Sequence, residues 1–220
     1  MMKELLELYF GKHYQSTKSA SVICDIKKGV FSLSDPKACA DCKKYTQEKE
    51  SGCDKTVANI NSDVCEVEVI QYEAFVDNYA NLKAIPNGKK CDILLVGDSK
   101  IVFCDLTCSK AKYIEPYVMQ DGTEKTGKRD TVKKQIANSI SLLLKVPEIA
   151  SSIDLKNKKI ALFAYRTKDD THGDDFDRGV VSKMQSFSMT TDKLVKEPMF
   201  SEISNGFLFT EIKYPESYLW

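Results

Sequence analysis

The chain has no net charge: lysine plus arginine and aspartate plus glutamate are both 32. That balance speaks against a dedicated, non-specific nucleic-acid binder, which shows a basic excess or a basic face. It says nothing about how the charges are distributed. No apolar run approaches the roughly 20 residues needed to span a bilayer. The opening stretch, Met1 to Phe10, is too short and too interrupted by Glu4 and Glu7 for a secretory core. A cytoplasmic protein with no membrane partner is therefore expected. No Gly-rich phosphate loop of the P-loop kind is present, which removes support for nucleotide hydrolysis. Histidine is scarce: His13 and His172 are the only two, and neither lies in a Ser-His-Asp or Cys-His pattern. There is no internal repeat and no low-complexity tract.

What is present suits a folded domain. The 220 residues are long enough to bury a core without covalent staples. Apolar content is 42% and charge 29%, near the values of globular proteins. Basic residues gather in two stretches, Lys125, Lys128, Arg129, Lys133 and Lys134, then Lys156, Lys158, Lys159, Arg166 and Lys168. Solvated helix and strand ends are the ordinary explanation of such runs. The acidic stretch from Asp169 to Asp177 lacks the spacing of an EF-hand loop and reads as solvated.

The eight cysteines divide into two groups. In a reducing compartment a disulfide framework is not expected. Cys91, Cys104 and Cys108 fall in or beside apolar segments and read as small buried hydrophobes. Cys39 and Cys42 form a C-x-x-C pair in a polar, turn-rich region. Cys53 and Cys65, with Cys24 as a substitute, would complete four ligands for Zn²⁺. The alternative is incidental thiols in a loop-rich N-terminal subdomain.

The richest stretch runs from Cys91 to Asp105. Ile93–Val96 and Ile101–Cys104 read as short strands joined by Gly97-Asp98-Ser99-Lys100. Asp92 opens the first strand and Asp105 ends the second. An antiparallel hairpin brings such residues together, and two converging carboxylates suit a hard cation such as Mg²⁺. Side chains alternate along a strand. Asp105 and Thr107 should therefore share one face, with Cys104, Leu106 and Cys108 on the other. Further on, Val132, Ile136, Ile140, Leu143 and Leu144 recur at helical spacing up to Pro147. Lys159–Tyr165 then reads as a buried strand, and Gly206–Tyr214 alternates enough to be another. The final Tyr218-Leu219-Trp220 is expected to pack on the domain or on a partner.

Hairpin, amphipathic helix and strand, with the two acids so placed, resemble the core of the PD-(D/E)XK, or restriction-endonuclease-like, nuclease superfamily over about residues 66–166. The resemblance implies an α/β fold, a mixed β-sheet flanked by helices. Residues 1–64 are then expected to form an N-terminal helix and Cys-containing subdomain, and residues 65–220 the core with its C-terminal extension. It implies Mg²⁺ held by Asp92, Asp105 and the Leu106 carbonyl, with Gln135 facing the site from the helix. A further acid would come from the element before the hairpin, where Glu66, Glu68 and Glu73 stand and Glu68 is the first choice. The family's motif places Lys two residues after the second acid; this chain has Thr107 there. Lys110, Lys112 and Lys134 are the candidates to replace it. The implied function is metal-dependent cleavage of nucleic acid, with a role in bacterial defence. The alternative is an inactive nuclease-fold subunit that binds or assembles with a protein partner in a defence or immunity system.

Overall fold

A computed structural model describes residues 1–35, 56–80, 82–83, 85, 88–167 and 201–220. Their main element is one mixed sheet. Its strands are β1 (Cys24–Ser34), β2 (Thr56–Gln71), β3 (Ile93–Val96), β4 (Lys100–Ser109), β7 (Lys158–Thr167), β8 (Ser201–Ser204), β9 (Phe207–Lys213) and β10 (Ser217–Leu219). The order is β1-β2-β3-β4-β7-β9-β8, with β10 alongside β2. The first four strands run antiparallel in succession, whereas β4, β7 and β9 are parallel. A parallel neighbour requires a crossover. The crossover from β4 to β7 carries a small ribbon, β5 (Tyr117–Val118) with β6 (Glu124–Lys125), and two helices, α4 (Lys128–Leu144) and α5 (Pro147–Asp154).

Alternation along the central strands divides the core in two. Leu94, Ile101, Phe103, Ala161 and Phe163 point to the face covered by helices. Ile93, Leu95, Val102, Cys104, Leu106, Leu162 and Ala164 point to the other. Helix α4 buries Val132, Ile136, Ile140 and Leu143 against the first face, as its spacing predicts. Leu144 is only partly buried, and Leu142 is buried instead. Pro147 starts α5, where its missing N–H costs nothing. The chain's first helix, α1 (Met2–Leu5), passes through a π-helical turn (Leu6–Phe10) into α2 (Gly11–His13). It buries Met2, Leu6, Phe10 and Tyr14 on the same face.

The segment from Thr56 to Gln71, which carries Glu66 and Glu68, is strand, bonded to β1 on one edge and to β3 and β10 on the other. The boundary expected between residues 64 and 65 falls inside this strand. From the N-terminal stretch, β1 belongs to the same sheet. Cys39, Cys42 and Cys53 lie outside those residues, so the expected zinc site does too. Cys65 is exposed and Cys24 half-buried. Of the two expectations for the tail, packing on the domain or on a partner, the structure shows the first. Trp220 donates its N–H to the Asn61 carbonyl at 2.9 Å. The Lys100 ammonium lies 5.0 Å from the Trp220 ring and 5.2 Å from that of Tyr218. No helix among the described residues is long and apolar enough to cross a membrane.

Candidate metal and phosphate site

The register of the β3–β4 hairpin pairs Ile93 with Cys104. Asp92 immediately precedes β3 and Asp105 immediately follows Cys104 on β4, so both acids lie at this end of the hairpin and line one depression. Both carboxylates are buried, at 8% and 3% exposure. Each is oriented by a hydrogen bond. The Leu106 N–H donates to Asp92 Oδ2 at 2.7 Å, and Gln135 Nε2 donates to Asp105 Oδ2 at 3.1 Å. Gln135 is brought there because its helix is tied to the start of β3. The Ser139 hydroxyl donates to the Gln135 carbonyl and accepts from the Cys91 N–H, both at 2.9 Å. Tyr72 donates to the Ser139 carbonyl from the other side.

Asp92, Asp105, Leu106 and Gln135 line a depression of about 160 Å³ with Asp35, Glu73, Lys89, Thr107, Cys108, Lys128 and Val132. Glu73 is delivered by the short helix α3 (Tyr72–Asp77), whose first N–H groups bond to the Asp92 carbonyl. Glu68, the preferred third acid, stands elsewhere. It pairs with Val96 along β2, roughly 13 Å from the Asp92 end at about 3.3 Å per residue. Its carboxylate accepts the Lys3 N–H at 3.2 Å. It thus satisfies one of the orphan donors at the start of α1, where negative charge is favourable. Which glutamate turns toward the hairpin depends on where β2 gives way to α3. Lys110, Lys112 and Lys134 do not line the depression and are exposed. The cations there are Lys89 and Lys128, which spacing relative to Asp105 did not reveal. Lys128 is the first residue of α4, and helix N-terminal geometry was the available signal.

The position of Lys128 is fixed by its neighbours. A Cβ on Gly127 would lie 2.4 Å from the Ile114 carbonyl oxygen, so only glycine lets the two backbones approach. The Arg129 N–H bonds to that same carbonyl at 3.2 Å. The Arg129 guanidinium makes a bidentate pair with Glu211 of β9 at 2.7 and 2.9 Å and a second contact with Glu115. Other members of the basic stretches also have structural duties. Lys156 donates to the Gly97 and Asp98 carbonyls, Lys159 pairs with Asp154, Lys133 lies over the Phe209 ring and Arg166 over that of Tyr214.

Electrostatics distinguish the carboxylate pair from ordinary surface acids. Burial, and then the charge of Asp105, push the Asp92 carboxyl above its usual range. Burial raises Asp105 as well, helped by Glu73 and Asp35 and opposed by Lys128 and Lys89. Like charges gathered out of water cost free energy that a cation would remove. The donors are all oxygens, which fits a hard divalent ion. Among the described residues no three His, Cys, Asp or Glu side chains form a set that would hold a metal ion. A Mg²⁺ ion bound through one or two carboxylates, with waters completing its shell, asks for no such set. Alternation places Cys104 and Leu106 in the opposite core cluster. Cys108, near the end of β4, is half-buried and lines the depression instead. In comparisons with known proteins, the chain matches no family model, no curated protein and no solved structure.

Proposed function

We propose that this end of the sheet is a metal-dependent centre for cleaving nucleic acid phosphodiesters, on a restriction-endonuclease-like core. The observation that carries the reading is the meeting of Asp92 and Asp105 in one depression at the open end of the hairpin, with Gln135 bonded to the second acid. The order of elements supports it: hairpin, amphipathic helix α4, then β7 parallel to β4. Asp92 and Asp105 would hold Mg²⁺, with Leu106, whose N–H orients Asp92, beside them. The ion would polarise a phosphoryl oxygen and promote formation of hydroxide from water. Gln135 keeps the Asp105 carboxylate turned into the depression. Lys128 and Lys89 supply the positive charge that Thr107 cannot, and the N-terminus of α4 adds its partial positive charge for a phosphate.

The test is a cleavage panel of single- and double-stranded DNA and RNA with Mg²⁺ or Mn²⁺, wild type beside Asp105→Ala. Cleavage by wild type alone is expected; equal activity in the two proteins overturns the assignment. Thr107 at the motif position favours a second reading, a catalytically inactive binding or assembly subunit of a defence or immunity system. It predicts no cleavage in any arm and a protein partner whose affinity survives Asp105→Ala.

A further inference from the structure

Between β4, which carries Asp105, and α4, which carries Lys128 and Gln135, the chain makes an exposed two-stranded ribbon. Its root is held firmly. Ile114 is buried in the core, its carbonyl accepts the Arg129 N–H, and Gly127 packs against the same backbone. Its tip turns at Gly122, whose φ of +80° suits glycine, and the Met119 N–H closes the turn on the Thr123 carbonyl at 2.9 Å. Cross-strand register pairs Tyr117 with Lys125 and Val118 with Glu124. Alternation therefore gives the ribbon two unlike faces. One presents Tyr117, Lys125 and, continuing the alternation, Met119. The other presents Val118 and Glu124. The Tyr113 ring packs on Tyr117 with centroids 4.7 Å apart, and the Lys112 ammonium sits 5.1 Å from the Tyr113 ring. Val118 and Met119 are 65% and 44% exposed, a large apolar exposure for so short an element.

We infer that the Tyr117–Lys125 face of this ribbon is a platform for an unpaired nucleic-acid strand leading into the carboxylate depression. The inference rests on the nuclease reading of that depression and names its substrate class. An aromatic ring stacks on any base whose face is open, and flanking ammonium groups follow the phosphates. Lys112 and Lys125 flank the rings, and Lys128, which lines the depression, follows Lys125 closely in the chain. In a duplex the base faces are already stacked on one another, so the tyrosines gain little from it. A single strand, a flap or an overhang is the ligand that uses both features.

The experiment measures fluorescence anisotropy of a labelled oligothymidine and of a labelled duplex, with Ca²⁺ present, on the Asp105→Ala background so that nothing is cut. Tighter binding of the oligothymidine is expected. Tyr117→Ala should weaken it roughly tenfold, Lys125→Ala less, and Tyr117→Phe little. Val118→Ser, on the opposite face, should leave it unchanged and controls for loss of the ribbon. Equal or tighter duplex binding overturns the inference. So does Tyr117→Ala binding like its parent, or no measurable binding of the single strand. The two readings fail separately. A nuclease whose single-strand affinity ignores Tyr117 keeps the centre and loses the platform. A protein that never cleaves but binds with the expected tyrosine dependence keeps the platform and loses the centre.

Discussion

The two ends of the β3–β4 hairpin treat charge in opposite ways. At the turn end the polar groups satisfy backbone. Glu68 accepts from the start of α1, Lys156 caps the Gly97 and Asp98 carbonyls, and Lys100 sits against two aromatic rings. The depression there is the larger, about 310 Å³, yet Glu68 and Lys156 in its lining have structural work. At the open end Asp92, Asp105 and Glu73 are gathered in burial, and the carboxyls of the two aspartates are pushed upward as a result. Volume alone would choose the turn end. Like charges assembled at a cost to stability are the better mark of function, because folding by itself has no use for them.

That contrast can be broken most sharply by activity. Asp105→Ala should lower Mg²⁺-dependent cleavage by more than about 100-fold, since loss of even a supporting group costs 10–100-fold at metal centres. Glu68→Ala should leave the rate unchanged. Time courses on one substrate with both variants decide it, and a fall with Glu68→Ala comparable to that with Asp105→Ala would erase the distinction.

The next effect is on the scaffold. Gly127→Ala drives a methyl into the Ile114–Pro116 backbone and should destabilise the protein by roughly 2–3 kcal/mol, as overpacking does. Urea denaturation measures this. Because Lys128 adjoins the disturbed residue, cleavage should fall even where the protein remains folded.

The open end should also reveal itself through pH. A carboxyl whose folded value is raised holds its proton longer in the native state than in the unfolded chain. Metal-free stability is then full below about pH 4 and falls as pH rises toward the raised values. Asp105→Asn removes one such group. It should stabilise the metal-free protein by on the order of 1–2 kcal/mol at pH 8 and change little at pH 4. Melting curves at the two pH values suffice; a variant less stable than wild type at pH 8 contradicts the like-charge account. The smallest effect belongs to the turn end. Glu68→Gln weakens the charge at the start of α1 and should cost about 0.5–1 kcal/mol, diminishing with added salt.

Local pattern determined a good deal. The alternation from Ile93 to Asp105 and the helical spacing from Val132 to Leu143 each imply one element, because one period permits only one buried face. The convergence of Asp92 and Asp105 follows from that alternation plus a tight turn, whereas Gln135 is expected there only from the resemblance to the nuclease superfamily. Three things needed the tertiary structure. Glu73 rather than Glu68 joins the acids because β2 continues to Gln71, with Glu68 paired to β1 and β3, before α3 begins. Lys89 and Lys128 face Asp105 from segments whose placement depends on long-range contacts, among them Gly127 on Ile114 and Arg129 on Glu211. That β1 lies in the same sheet as β2 rests on hydrogen bonds that composition does not encode. Periodicity reports which face of a segment is buried; only packing decides which segments share that burial, and so which charges meet.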